Sequence, residues 1–406
     1  MTAVQELAAR AAGAPEPTVA GIRASISPVL ERIAGTARAR EDLRDYAFDE
    51  VRELAGHGIG VVGIARGEGG AGGSVRDVAD LVVELARADS NIAQALRPTY
   101  LMANQIASRP DLPHRDANLA RLRSGALFAG TGNERNGGAS GSVSTVARRV
   151  DGGYRVTGRK YYSTGGLYAS YFSSQAVTDD GTIVRFTVPA DRPGVERLDD
   201  FDAVGQRLTQ SGSTVLTDLW VGDDEATVTG EEQPDNPWGG SFAQLYLAAV
   251  QAGIAARALD DAVWFVREKA RPIKHSSAAS SVDDPYVRQT VGEIGAKARA
   301  ARAVVLVAAE SLQDLRGVTG DAVRRAGADA AIGVAEAATV AIESALTATE
   351  LLFDVGGGSI TDRGLGFDRH WRNARTAANH NPRQWKSAVA GAYHLTGEEP
   401  PTTGLF

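Results

Sequence analysis

Few side chains in this sequence are suited to chemistry, and none of them is a cysteine. His380, in the tail run RHWRNARTAANHNP (Arg369 to Pro382), offers an imidazole whose ordinary pKa of about 6.5 lets it take and return a proton near neutrality. Its plainer use is to hydrogen-bond the backbone ahead of Pro382. Arg271 follows a long helical run, so a rigid base would present its guanidinium fork to phosphate oxygens. Ser359 closes GGGS (Gly356 to Ser359), where glycines permit either close backbone approach to such a group or a simple turn between helices. Arg372 and Arg375 are three apart on one helix face and could reach a ligand or form ion pairs. Trp371 and Trp385 are expected to pack against neighbouring helices. GEGGAGG (Gly67 to Gly73) satisfies G-x-G-x-x-G as a string. It lacks a strand before it, and Glu84 and Asp89 fall in or beside the following helix, so a turn is expected rather than a dinucleotide loop. The other histidines (His57, His114, His275, His370, His394) show no ligand spacing, and no metal site is expected. No G-x-S-x-G elbow or kinase-like glycine and lysine set is present.

Composition narrows the class. A chain of 406 residues, 43% apolar, has room for two or three globular domains. Its 43 basic and 50 acidic residues give a net charge of -7, and no basic run is long enough to follow a phosphate backbone, which argues against nucleic acid. The lack of cysteine excludes disulfides, iron–sulfur clusters and thiol nucleophiles, and fits a reducing cytoplasm. The opening MTAVQELAARAAGAPEPT has no apolar core of signal-peptide length, and no uninterrupted run of about 18 apolar residues follows, so no membrane partner is expected.

The elements that must hold these residues follow from periodicity. Ile22, Ile26, Val29, Leu30 and Ile33 keep helical spacing, and Ala47 to Leu54 and Val75 to Ala86 continue in that style. From Leu127 the character changes: VSTVARRV, GYRVTGRKYY, YFSSQAV, TIVRFTV and STVLTDLWV are short β-branched or aromatic runs cut by Gly, Asp and Pro. After EEQPDNPWGG (Glu231 to Gly240), long Ala-rich segments at Phe242 to Lys269, Asp284 to Leu315 and Asp321 to Phe353 suit a lengthwise bundle. Alternating βαβ units are missing, so a Rossmann fold is not expected.

Four separated stretches resemble the acyl-CoA dehydrogenase superfamily. IARGEGGAGGS is similar to its Pro-Glu-x-x-Gly-Gly loop, and GTGNERNGG (Gly130 to Gly138) to its Thr-Glu-Pro flavin loop. GRKYYSTGG (Gly158 to Gly166) is similar to its Lys-x-Trp-Ile-Thr-Asn strand and turn, and AGIAARALDDAVWFVREKARP (Ala252 to Pro272) to the opening helix of its bundle. The resemblance implies an α+β protein: an N-terminal helical domain over 1–126, a middle antiparallel, barrel-like β-domain over 127–235, and a C-terminal four-helix bundle with a catalytic tail over 236–406. It puts Asn133 at the Thr position of the flavin loop, Ser163 and Thr164 beside flavin N5 and O4, and Tyr162 in place of the stacking Trp.

The departures carry more. Asn381 falls where the dehydrogenases keep their catalytic Glu, and Lys269 and Pro272 stand where an Arg and a Phe face the adenosine of FAD. These features resemble the two-component flavin monooxygenases of the dibenzothiophene monooxygenase type. That implies reduced FMN rather than FAD, delivered by a separate NAD(P)H:flavin reductase. It also implies dioxygen, a flavin C4a-hydroperoxide, and a small hydrophobic sulfide, amine or aromatic substrate such as an indole. On this implication His380, Asn133 and Ser163 are catalytic, Tyr162 and Thr164 bind flavin, and Arg271 and Ser359 take the FMN phosphate. Two alternatives stand beside it: an acyl-CoA dehydrogenase-like enzyme with its base moved to Glu350 or Asp354, and a non-catalytic flavin-binding protein. The Ala-rich helices expose more apolar surface than one protomer covers, and a homotetramer is expected.

Overall fold

The computed structural model describes residues 16–132, 134–135, 143–228, 237–316, 318 and 320–402. Helices α1 (Val19–Leu43), α2 (Phe48–Gly56), α3 (Val75–Ala88), α4 (Ser90–Ala95), α5 (Arg97–Ser108) and α6 (Arg115–Arg123) come first. Each sequence signal has a local cause. The Thr18 side chain caps α1 by accepting from Gly21 N–H at 3.0 Å, and Ile22, Ile26, Val29 and Ile33 form its buried stripe. Ser74 and Asp77 form a reciprocal capping box on α3. Between α2 and α3 the glycine string makes a turn, as expected. Gly69 and Gly72 take left-handed φ of 79° and 70°, and a Cβ at Gly70 would meet the Ile64 carbonyl oxygen at 2.2 Å.

Eight strands follow: β1 (Phe128–Thr131), β2 (Val146–Val150), β3 (Gly153–Lys160), β4 (Tyr171–Val177), β5 (Ile183–Pro189), β6 (Val195–Arg197), β7 (Thr214–Gly222) and β8 (Ala226–Val228). They form one sheet in the order β6-β7-β3-β2-β4-β5-β8, with β1 also on β4. The expectation of a purely antiparallel domain needs correction, because β1 runs parallel to β4 from Phe128↔Tyr171 to Thr131↔Ser174, and Val146 pairs with Val177 in the same sense. Period-two patterning identifies strands but is blind to partner direction, and here the β2–β3 hairpin lies between β1 and β4 in the chain and brings β4 back alongside β1.

The bundle comprises α7 (Ser241–Glu268), α8 (Pro285–Asp314) and α9 (Asp321–Leu351), followed by α10 (Asp368–Ala378) and α11 (Arg383–Thr396). Helix α7 is long and apolar enough to cross a membrane, yet 78% of its most apolar stretch is buried inside the protein, as for a central core helix. It packs on α3 at very short range: a Cβ at Gly253 would stand 2.4 Å from Ala86 Cβ and 2.6 Å from the Val83 carbonyl oxygen. One apolar core therefore joins the N-terminal helices to the bundle, running from Ile22 and Leu81 to Ala252, Val305 and Ala345. Trp371 and Trp385 are 42% and 62% exposed, against the expectation that they pack inward. Helix α10 buries Arg369, His370, Asn373, Ala374, Ala377 and Ala378, a stripe that leaves Trp371 on the outer face.

Candidate active site at the meeting of sheet, first helices and tail

The turn after β3 is drawn tightly against the loop before β7. Ser163 N–H donates to Gly212 O, Gly165 N–H to Thr209 O and Gly166 N–H to Gln210 O, each at 3.0 Å. Thr214 Oγ1 donates to Ser163 Oγ at 2.8 Å, which leaves the Ser163 proton to be given elsewhere, and Ser211 Oγ donates to Thr164 Oγ1 at 3.1 Å. Tyr162 takes a left-handed φ of 61° and its side chain is exposed, while its neighbours Tyr161, Ser163 and Thr164 are buried. Asn133 lies outside the described residues, but both flanks of its loop are pinned. Thr131 Oγ1 donates to Ser174 Oγ at 2.7 Å, and Lys160 Nζ donates to Glu134 at 2.6 Å in a buried pair. Burial opposes ionisation of Glu134, but Lys160, Ser144 and Thr145 outweigh it and hold the carboxyl down at about 2. Arg135 stacks its guanidinium on Tyr161 at 3.9 Å.

Helix α5 brings the tail to this loop. A Cβ at Gly130 would sit 3.7 Å from Pro98, and a Cβ at Gly165 would strike the Ala95 carbonyl oxygen at 2.5 Å, so the start of α5 lies against both turns. The neighbouring Arg97 Nη1 approaches His380 Nε2 at 3.2 Å, and His380 Nδ1 lies 3.2 Å from Asn381 Oδ1. A guanidinium can only donate, so Nε2 accepts and Nδ1–H donates to the amide oxygen: His380 is the neutral Nδ1–H tautomer. A second path runs from α10, where Asn373 Oδ1 accepts from Gln206 N–H at 2.6 Å on the loop that carries Thr209 and Gln210. The start of α5 thus lies against β1 and the turn that carries Ser163 and Thr164, and its Arg97 reaches His380 of the tail.

His380 is exposed, yet protein surrounds it closely on the other sides, as for a residue in a surface crevice. Desolvation by that protein, with Arg97 alongside, pushes its pKa down to about 3. That corrects the expectation of an imidazole poised near neutrality. Arg97 and Lys386 carry no sequence signal of their own, the one reading as a surface residue in a helix's first turn and the other as part of a polar tail. Lys386 is buried, donates to Gln244 Oε1 at 3.0 Å, and is lowered by desolvation to about 8.

Residues 245–385 match the acyl-CoA dehydrogenase C-terminal domain family. Over 392 residues the chain is 30% identical to a dibenzothiophene monooxygenase of Rhodococcus qingshengii, with 92% of each chain covered. FMN-bound TdsC of Paenibacillus sp. A11-2 superposes with a TM-score of 0.86 at 25% identity, over 95% of this chain and 100% of that one. The methanesulfinate monooxygenase MsuC of Pseudomonas fluorescens does so with a TM-score of 0.85 at 25% identity, over 96% and 100%. The chain belongs to the monooxygenase branch of the acyl-CoA dehydrogenase superfamily. Monooxygenase activity makes sense of the tail: around His380 and Asn381 no carboxylate takes a hydrogen bond or ion pair among the described residues, so the base of an acyl-CoA dehydrogenase has no stand-in there.

Not every expected site residue of this monooxygenase lies at that crevice. Tyr246 on α7 sits beside Arg97, whereas Arg271 follows the far end of α7, roughly 30 Å away at ~1.5 Å per helical residue. Arg271 is exposed and has no hydrogen bond or ion pair among the described residues. Ser359 is exposed too, and its GGGS turn packs at the same far end, where a Cβ at Gly356 would meet Phe265 at 2.5 Å. Within one protomer, the structure separates Arg271 and Ser359 from His380, Ser163 and Thr164. Arg372 is an ion-pair residue, 2.9 Å from both Glu41 and Asp368. Arg375 keeps a buried Nη1 without a partner. Glu350 and Asp354, the relocated-base candidates, are exposed near the GGGS end.

Proposed function

We propose that this protein is a two-component flavin monooxygenase. It takes reduced FMN from a separate NAD(P)H:flavin reductase and uses dioxygen to insert one oxygen atom into a small substrate, the other leaving as water. The observation that carries the reading is the tail, where Asn381, at the position of a proton-abstracting carboxylate, bonds a neutral His380 that Arg97 braces from the other edge. The residues present fit a flavin: Gln206 Oε1, Gln210 Nε2 and Tyr100 Oη are buried without hydrogen-bond partners among the described residues, and buried polar groups in that state call for a ligand or ordered water. TdsC has been solved with FMN and indole, which supports FMN over FAD.

When bound, reduced FMN supplies two electrons and activates dioxygen at its C4a position. The chain's own part is positional. In this reading Ser163 Oγ–H is offered to the ring edge, Asn133 keeps the role the resemblance gives it, and the exposed Tyr162, with its left-handed backbone, covers a ring face. His380 offers its ring nitrogens as the hydrogen-bonding groups beside the reacting centre, and the bound flavin and substrate would themselves cover the exposed ring from bulk water. Arg271 and Ser359 remain phosphate ligands in this proposal only if a second copy of the chain supplies them, because α7 holds them too far from the crevice of their own protomer. A homotetramer, in the cytoplasm where reductase and substrate meet, is the corresponding assembly.

The test is turnover of the purified protein with FMN, a flavin reductase, NADH and air against a panel of sulfides, amines and indoles, with acyl-CoA thioesters offered anaerobically in parallel. Oxygen-dependent formation of a product heavier by one oxygen atom supports the reading. Anaerobic desaturation of a thioester would replace it with the dehydrogenase alternative, for which Glu350 and Asp354 are poorly located.

A further inference from the structure

Arg97 and Lys386 flank His380 and make the crevice cationic, and neither pairs with a carboxylate among the described residues. The three most deeply buried Arg or Lys ion pairs among those residues show the usual solution for a cation set into this protein: Arg40 lies 2.6 Å from Asp89, Arg369 3.4 Å from Asp261, and Lys160 2.6 Å from Glu134. Arg97 has no such partner. Its one hydrogen-bond neighbour among the described residues is the neutral His380, and its Nε is sealed from solvent without a partner. Burial pushes Arg97 down to about 10. On the other side of Asn381, Lys386 Nζ contacts the amide oxygen of Gln244. Asn381 Nδ2 and Gln251 Oε1 line the same small pocket unpartnered, beneath Leu247, Ala248 and Ile342.

Holding two cations partly from water with only neutral partners is costly, and an arriving anion offsets that cost. A guanidinium with most of its donors unused is suited to a planar or pyramidal oxyanion, which it can take through two parallel hydrogen bonds. A neutral sulfide or indole would leave those donors unsatisfied.

We propose that Arg97 is a specificity-determining residue and that the substrate is a small organic oxyanion, a carboxylate or sulfinate, whose charged group is held between Arg97 and the Asn381–Lys386 side of the crevice. The inference rests on the monooxygenase reading for the reaction but not for the binding. It is therefore tested by affinity, on protein with and without oxidised FMN.

Two matched pairs serve as probes: benzoate against benzamide, and methanesulfinate against dimethyl sulfone, each titrated by calorimetry. In wild type at least one anion binds ten-fold or more tightly than its neutral partner. Arg97→Gln brings the pair to parity while FMN affinity changes less than two-fold. Arg97→Lys, which keeps a charge, retains part of the preference and guards against a folding defect. Lys386→Met lowers the preference without abolishing it. Equal affinities within both pairs in wild type would overturn the proposal. So would an Arg97→Gln protein that keeps its anion preference but loses FMN, since Arg97 would then serve the cofactor. Anion preference in a protein that oxygenates nothing leaves this site standing and removes the proposed reaction instead.

Discussion

At the residue scale the decisive side chain is His380, and its environment changes what is asked of it. An imidazole held near pKa 3 beside a guanidinium stays neutral across physiological pH, so it acts by hydrogen bonding and not by cycling its own charge. His380→Ala should leave folding and FMN affinity nearly unchanged while product formation falls by about two orders of magnitude, with reducing equivalents diverted to hydrogen peroxide. His380→Gln, which keeps a donor and an acceptor, should recover a substantial part of that loss. The turnover profile of wild type should show no inflection near pH 6.5 assignable to His380. Steady-state assays with peroxide detection decide this, and undiminished product from His380→Ala would remove the residue from the mechanism. Ser163→Ala should raise the Kd for FMN by about ten-fold or more, measured by flavin fluorescence quenching, because it deletes a buried hydroxyl that accepts from Thr214 and keeps its own proton to give. His380 stood out by residue type, but its role, like Ser163 and Thr164, was legible only through the motif resemblance. Arg97 was not legible at all, because its meaning depends on a partner 283 residues away.

At the element scale, α10 is the part that aims the tail, and a buried charge cluster fixes its start. Nε2 of His370 donates to Asp261 Oδ2 on α7 at 2.7 Å, and Arg257 and Arg369 share that carboxylate at 2.8 and 3.4 Å. Desolvation, with Arg369 beside it, outweighs Asp261 and lowers His370 to about 4. The unfolded chain, with a histidine pKa of about 6.5, therefore takes up this proton before the folded one does. The associated stability is complete above about pH 6.5 and drains as pH falls towards 4. His370→Gln should flatten the fall in thermal midpoint between pH 6.5 and 4, and an unchanged slope would show that acid lability originates elsewhere. The α3–α7 crossing offers a second check. A methyl group at Gly253 has no room beside Ala86 and Val83, so Gly253→Ala should destabilise by about 1–3 kcal/mol in denaturant titration. The helices and strands were readable because their periods are local properties. The β1–β4 parallel pairing and the outward face of Trp371 were not, since both depend on what the chain does far away in sequence.

At the scale of the whole molecule, the length of α7 sets the problem. A 28-residue helix carries Tyr246 near the crevice and Arg271 just past its opposite end, so a cofactor touching both must be shared between copies of the chain. Apolar side chains left on the outer faces of α8 and α9, Val307 at 60% and Val340 at 38% exposure, give those helices surface to bury in such an assembly. Light scattering at micromolar concentration should therefore report a tetramer, and a monomer would rule the shared site out. Arg271→Ala should weaken FMN several-fold while leaving riboflavin, which lacks the phosphate, unaffected. Complementation then separates a shared site from a self-contained one. Arg271→Ala and His380→Ala are each defective alone. In hybrids formed by mixing and reassembling the two variants, a protomer with intact His380 can face a neighbour with intact Arg271, and that site regains both groups. Activity in the hybrid well above the sum of the separate variants is the expected result. Verified hybrids with no recovery would confine each site to one chain, and Arg271 would then have no part in holding the flavin.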